Sequence, residues 1–208
     1  MVLAPGYAPL SFTAPEPGSY ALPSMGSAAN GAVIDSEGNS AKLHDFLGDK
    51  PTVLSFIFTT CDDVNGCPLA TYVMRSVQDA LRADPETADR ARLVSFSFDP
   101  VFDTPDVIDA YGSQFRAGDF DWQFLTTEGA TTLDPILNAY GQWVIRDYDE
   151  NGEYMGTMSH ILRVFLIDES RQIRNIYSTS FLHADTVAND VRSLLMEATA
   201  DPSADTGS

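Results

Sequence analysis

Thr52-Val-Leu-Ser-Phe-Ile-Phe-Thr-Thr-Cys61-Asp-Asp-Val-Asn-Gly-Cys67-Pro68 decides the fold. Its first half, Val53 to Phe58, is apolar and β-branched without a charge, the composition of a strand buried on both faces of a parallel sheet. The run then breaks into Asp62, Asp63, Asn65 and Gly66, and Pro68 opens a helical pattern. Strand, short loop and helix is the arrangement in which open α/β sheets set their chemistry, just past the carboxyl end of a strand. Both cysteines of the chain flank that loop.

Outward from this centre the chain alternates. Upstream, Ala32-Val-Ile-Asp-Ser-Glu-Gly-Asn39 followed by Ala41 to Leu43 reads as a β-hairpin, and His44 to Gly48 as one helical turn. Downstream, Leu69, Tyr72, Val73, Val77, Ala80 and Leu81 recur at helical spacing. Arg92 to Asp99 is a second strand. Thr104-Pro105 starts a helix, with Thr104 as its cap. Trp122 to Thr126 is a third strand, and Thr131 to Tyr140 a helix closed by Gly141. Trp143 to Asp147 reads as a short strand before a turn at Asp149 to Gly152, and Met155 to His160 as a polar loop. Ile161 to Ile167 and Gln172 to Tyr177 form a second hairpin, and Ala184 to Ala198 the last helix. This order predicts one α/β domain with a mixed central sheet flanked by helices and an N-terminal β-hairpin. The domain spans residues 25–199. Residues 1–24, rich in Pro, Ala, Ser and Gly, form an extended arm or linker pinned through Phe12, Tyr20 and Leu22, and residues 200–208 a polar tail.

Thirty acidic residues against 12 basic ones give the 208-residue chain a net charge of -18. That field repels phosphate backbones and anionic lipid, which argues against nucleic-acid and membrane-surface binding. No window approaches the roughly 20 apolar residues of a spanning helix, and the N-terminus has neither basic nor apolar signal regions. The chain is therefore expected to be cytoplasmic, or else a mature or trimmed form.

Two thiols on a loop at a helix start either exchange as a dithiol/disulfide pair or bind a soft metal; the plain alternative is two small buried hydrophobes. With Pro68 at the first helical position, Cys67 stands at the cap, where the helix dipole favours its thiolate, while Asp62 and Asp63 oppose it. Among the three histidines, His160 precedes a core strand and can face the end of a neighbouring one; His44 and His183 sit at helix starts and read as structural. Met155 and Met158, near His160, read as packing.

Together, Cys61 and Cys67-Pro68, Ser97-Phe-Asp99-Pro100-x-x-Asp103-Thr104-Pro105, Ala139-Tyr140-Gly141 and Ser159-His160 before Ile161 to Asp168 resemble the Sco/SenC family in order. The resemblance runs from about residue 28 to 196. It implies a thioredoxin-like fold and a copper chaperone acting in assembly of the CuA centre of cytochrome c oxidase. By resemblance, Cys61 and Cys67 are the thiolate ligands and His160 the imidazole ligand of one copper ion, Cu(I) or Cu(II). It also implies an exported, periplasmic or extracytoplasmic protein, anchored to the membrane through a tether absent from this sequence, whose partner is a cuproprotein such as an oxidase subunit. The rival function is a thiol–disulfide reductase, with Cys61 and Cys67 catalytic, keeping a client's copper-ligand cysteines reduced. Two departures stand out: five residues separate the cysteines where the family commonly has three, and Ser159 stands where Asp commonly precedes the histidine.

Overall fold

A computed structural model describes residues 2–200. Its main sheet has seven strands in the order β2-β1-β5-β4-β3-β8-β9. These are β1 (Ala32–Asp35), β2 (Ser40–Lys42), β3 (Thr52–Ile57), β4 (Arg92–Ser97), β5 (Trp122–Thr126), β8 (Arg163–Ile167) and β9 (Ile173–Ser178). β3, β4 and β5 run parallel, linked by helices α1 (Cys67–Arg82) and α2 (Pro105–Gly112). β8 joins β3 antiparallel, with Thr52 opposite Ile167 and Ser55 opposite Val164. The sheet is mixed, as the alternating pattern requires. Helix α3 (Ala130–Ala139) follows β5, and α4 (Ala184–Ala200) closes the domain against α1.

β3 lies at the middle of this arrangement, and every one of its residues is buried. Burial of Val53, Leu54, Phe56 and Ile57 contributes roughly 1.5–3 kcal/mol per side chain. Phe56 packs on Phe96 of β4 at 5.5 Å, on Phe165 of β8 at 6.0 Å and on Tyr140 at 5.3 Å between ring centroids. Two residues further on, Phe58 and Phe98 continue that row past the strand ends, 5.1 Å apart. The apolar core thus runs directly to the thiol loop.

Three expectations change in detail. Gly66, not Cys67, caps α1; Cys67 is its first residue and Pro68 its second. β8 begins at Arg163, two residues after Ile161. The third change is larger, because Met155 to His160 is not a loop. It belongs to strand β7 (Tyr154–His160), which pairs with β6 (Val144–Tyr148) as a two-stranded sheet apart from the main one. Glycine, threonine and serine interleaved with methionine give this strand little of the β-branched signal, since one pairing partner and the inward side chains of Met158 and His160 suffice for it.

The segment before β1 lies against the domain without regular structure beyond a short 3-10 turn at Pro5–Tyr7. Leu22 is buried, and the Tyr20 hydroxyl donates to Asp190 Oδ1 at 2.5 Å. Phe12, by contrast, is 60% exposed and pins nothing. The expected polar tail falls, from residue 201 on, outside the described residues.

Candidate metal and thiol site

The antiparallel pairing of β8 with β3 sets the start of β8 beside the end of β3, and β7 delivers His160 there. The sulfurs of Cys61 and Cys67 and a ring nitrogen of His160 lie within 4.8 Å of one another. Cys67 Sγ is 3.5 Å from His160 Nε2, and His160 Nδ1 is 3.4 Å from the Met158 carbonyl. A proton on Nδ1 donated to that carbonyl leaves Nε2 as a lone pair aimed at the thiols. The ring is seated edge-on to Phe58 at 5.8 Å and tilted over Phe98 at 5.1 Å. Burial among these rings lowers the His160 pKa, so the imidazole is neutral at pH 7 and able to ligate.

The two thiols are unlike. Cys67 is 1% exposed, while Cys61 is partly open to solvent. A hydrogen bond from the Cys67 thiol, helped by backbone N–H groups, lowers the Cys61 pKa to about 7 in spite of partial burial and the charge of Asp63. Burial drives the Cys67 pKa well up, and the neighbouring Cys61 adds to the rise. The helix start does not therefore make Cys67 the more acidic thiol, as its position in sequence suggests. Desolvation outweighs the dipole there, and Cys61 is the readier thiolate.

Sequence reasoning had no role for the residues that hold the loop. Asp103, fully buried, accepts from Thr59 N at 3.1 Å, from Thr59 Oγ1 at 2.5 Å and from Ser97 Oγ at 2.5 Å. It therefore ties the end of β3, two residues before Cys61, to the end of β4. The Asp-Pro-x-x-Asp-Thr-Pro run was visible as a motif, but only the fold shows that its second aspartate faces the thiol loop. Phe58 and Phe98, which seat the imidazole, read in sequence as ordinary core.

His44 and His183 lie away from the site. Their Nε2 atoms meet the carbonyls of Ala28 at 3.0 Å and Ala8 at 2.8 Å, in keeping with structural roles. Met158 is packed inward and Met155 is exposed. Among the described residues, Cys61, Cys67 and His160 form the one group of three or more His, Cys, Asp or Glu side chains close enough to share a metal ion. Two sulfurs and one imidazole nitrogen suit copper in either oxidation state, and they leave zinc one protein ligand short of its usual four.

The family model for SCO1/SenC matches residues 30–196. The chain belongs to the SCO1/SenC family. Among SCO1/SenC relatives, it is 32% identical over 90 residues to the SCO1 protein homolog of Bacillus subtilis, covering 43% of this chain and 44% of that one. The chain spans about half the length of the curated relatives it matches. The structure of Arabidopsis thaliana ScoI with copper bound superposes with a TM-score of 0.68 at 19% identity, over 82% of this chain and 98% of that one. BsSco, described with a disulfide switch and as a member of the Sco family of cytochrome c oxidase assembly proteins, superposes at 0.64 with 20% identity, over 84% and 96%. At those identities the two structures speak for the fold, which is the thioredoxin-like fold of Sco proteins.

Proposed function

We propose that this SCO1/SenC chain binds one copper ion through Cys61 Sγ, Cys67 Sγ and His160 Nε2 and passes it to a cuproprotein, such as the CuA subunit of cytochrome c oxidase. The observation that carries the reading is the convergence of three soft or borderline donors within 4.8 Å from two distant segments of chain. Their unequal exposure supports delivery. A buried Cys67 and a seated imidazole hold the ion from below, and the more open Cys61 gives an incoming thiolate a place to begin ligand exchange. Work on a client's copper site outside the cytoplasm, with the protein anchored to a membrane, fits the family; no helix among the described residues is long and apolar enough to cross a membrane.

A second reading rests on the pKa asymmetry. Cys61, titrating at about 7, would attack a client disulfide and release one client thiol; Cys67 would then displace the second, leaving a Cys61–Cys67 disulfide. An anaerobic Cu(I) titration of the reduced protein against a competing chelator separates the two. One tightly held Cu(I) per chain, lost in Cys61→Ser and Cys67→Ser, is expected. Failure to hold Cu(I) against a weak competitor, together with reduction of a model disulfide, would overturn the chaperone reading in favour of the reductase.

A further inference from the structure

The five-residue loop between the cysteines is held in its middle by the far N-terminus of the chain. Asn65 Nδ2 donates to the Val2 carbonyl at 2.9 Å, and Asn65 Oδ1 accepts from Ala4 N at 2.7 Å. The Tyr7 hydroxyl donates to the Val64 carbonyl, and the Tyr7 ring packs on Tyr72 of α1 at 5.0 Å. The strap between these contacts is pressed tightly onto the domain. A Cβ on Gly6 would come within 2.3 Å of the Leu182 carbonyl, and Ala4 is buried. Further along, His183 Nε2 meets the Ala8 carbonyl at 2.8 Å.

Within the middle of the loop Asn65 N donates to Asp63 Oδ1 at 3.1 Å, and the strap contacts tie that turn to the rest of the chain. The loop's first end is tied through Thr59 to Asp103, and its last residues lead into α1, with Gly66 N donating to the Asp63 carbonyl. Val64 and Asn65 lie between, in a loop two residues longer than the family commonly has. A longer loop samples more conformations and holds its two ends in a fixed relation less well. A clamp at its middle removes that freedom before a ligand arrives, which is preorganisation.

We propose that residues 2–8 form a strap that sets the geometry of the Cys61–Cys67 loop, with Tyr7 and Asn65 as positioning residues for the site. The strap rests on the copper reading given above for its function, but its structural half stands without metal. In this chain the N-terminal segment is thus a working part of the site, and displacing it loosens the thiols.

Hydrogen–deuterium exchange on the copper-free protein, together with Cu(I) competition and the Cu(II) absorption spectrum, tests this in Tyr7→Phe and Asn65→Ala. Tyr7→Phe keeps the ring against Tyr72 and loses only the hydroxyl. Asn189→Ala, which removes the bond from α4 to the Pro15 carbonyl far from the loop, is the control. Loss of one or two hydrogen bonds should speed exchange of amides 62–66 and weaken Cu(I) binding, each about tenfold, and should shift or broaden the thiolate-to-Cu(II) band. Asn189→Ala should change none of these. Unchanged loop exchange in both variants would overturn the clamp. Faster exchange with unaltered Cu(I) affinity and Cu(II) spectrum would overturn the positioning role and leave a structural contact only. A wild-type protein that holds no copper, with loop exchange still faster in the variants, would refute the proposed function and the positioning role while leaving the clamp.

Discussion

Removing the Asp103 carboxylate perturbs the site from below without touching a thiol. Its oxygens accept three hydrogen bonds, from Thr59 N, Thr59 Oγ1 and Ser97 Oγ. In Asp103→Ala those donors lose their partner in a buried setting, and an unsatisfied buried donor costs about 1–3 kcal/mol. The two hydroxyls can turn toward other acceptors or a water entering the gap, but the Thr59 amide cannot. A total of about 3–5 kcal/mol is therefore expected, a large part of the stability of a domain of this size. Asp103→Asn keeps the volume. Its amide oxygen can take the Thr59 N–H and its NH2 can face the Thr59 hydroxyl, which rotates to accept. The cost then falls to about 1–2 kcal/mol.

Burial raises the Asp103 pKa above that of an ordinary carboxylate, despite the opposing hydrogen bonds. The native state therefore binds this proton more tightly than the unfolded chain. Its contribution is fully present below the unfolded pKa, about 3.9, and is lost as pH rises through the folded value. Asn cannot titrate, so Asp103→Asn should cost more near pH 4 than at pH 7. Urea unfolding of the wild type and both variants at the two pH values reads this as a difference of differences, in which the other carboxylates cancel. An Ala variant no worse than Asn would refute the hydrogen-bond accounting. A larger Asn penalty at pH 7 than at pH 4 would refute the assigned direction of the pKa.

Three further outcomes follow from the site. His160→Ala should keep Cu(I) affinity within about tenfold, since two thiolates satisfy Cu(I), yet abolish the stable Cu(II) form and its sulfur-to-copper band; an unchanged Cu(II) spectrum would make the ring structural. Alkylation of Cys61 in the metal-free protein should rise through about pH 7, with Cys67 much slower, and Cys67→Ala should move that rise upward because the Cys67 hydrogen bond is the main cause of the low value; equal reactivity of the two thiols would contradict the burial difference. With a net charge of -18, association with a basic client face should slow at least tenfold from about 50 to 500 mM salt while Cu(I) affinity stays constant, and salt-independent association would leave the acidity no role in recognition.

What the sequence made legible and what it hid divide along a physical line. Strands and helices of the main sheet were readable because burial on one or both faces imposes a pattern: β3 is uncharged throughout, and Thr104-Pro105 starts α2 where expected. Cys61, Cys67 and His160 were named because their side chains are chemically rare here and stand beside those patterns. β7 escaped notice because a ribbon with one pairing partner imposes no such periodicity on Met155 to Ser159. The acidity ranking of the thiols escaped for another reason. Helix position is local and visible, whereas the burial of Cys67 depends on the packing of the whole domain around it.

The supports of the site were the least legible, since each is a contact between residues far apart in the chain. Asp103 and Thr59 are 44 positions apart, and Tyr7 and Val64 are 57. A serine, threonine, asparagine or tyrosine has many ordinary uses, so its type alone says little about which backbone group it will meet. A metal or redox loop nevertheless needs such ties, because its own residues are polar and bury little surface that could hold it in place. Here both ends and the middle are tied by different means: a buried carboxylate at Thr59, the start of α1 at Cys67, and the N-terminal strap at Val64 and Asn65. Cutting the tie at Asp103 should therefore cost chiefly stability. Cutting the tie at Asn65, a half-buried residue outside the main core, should cost chiefly the fixed relation between the two sulfurs.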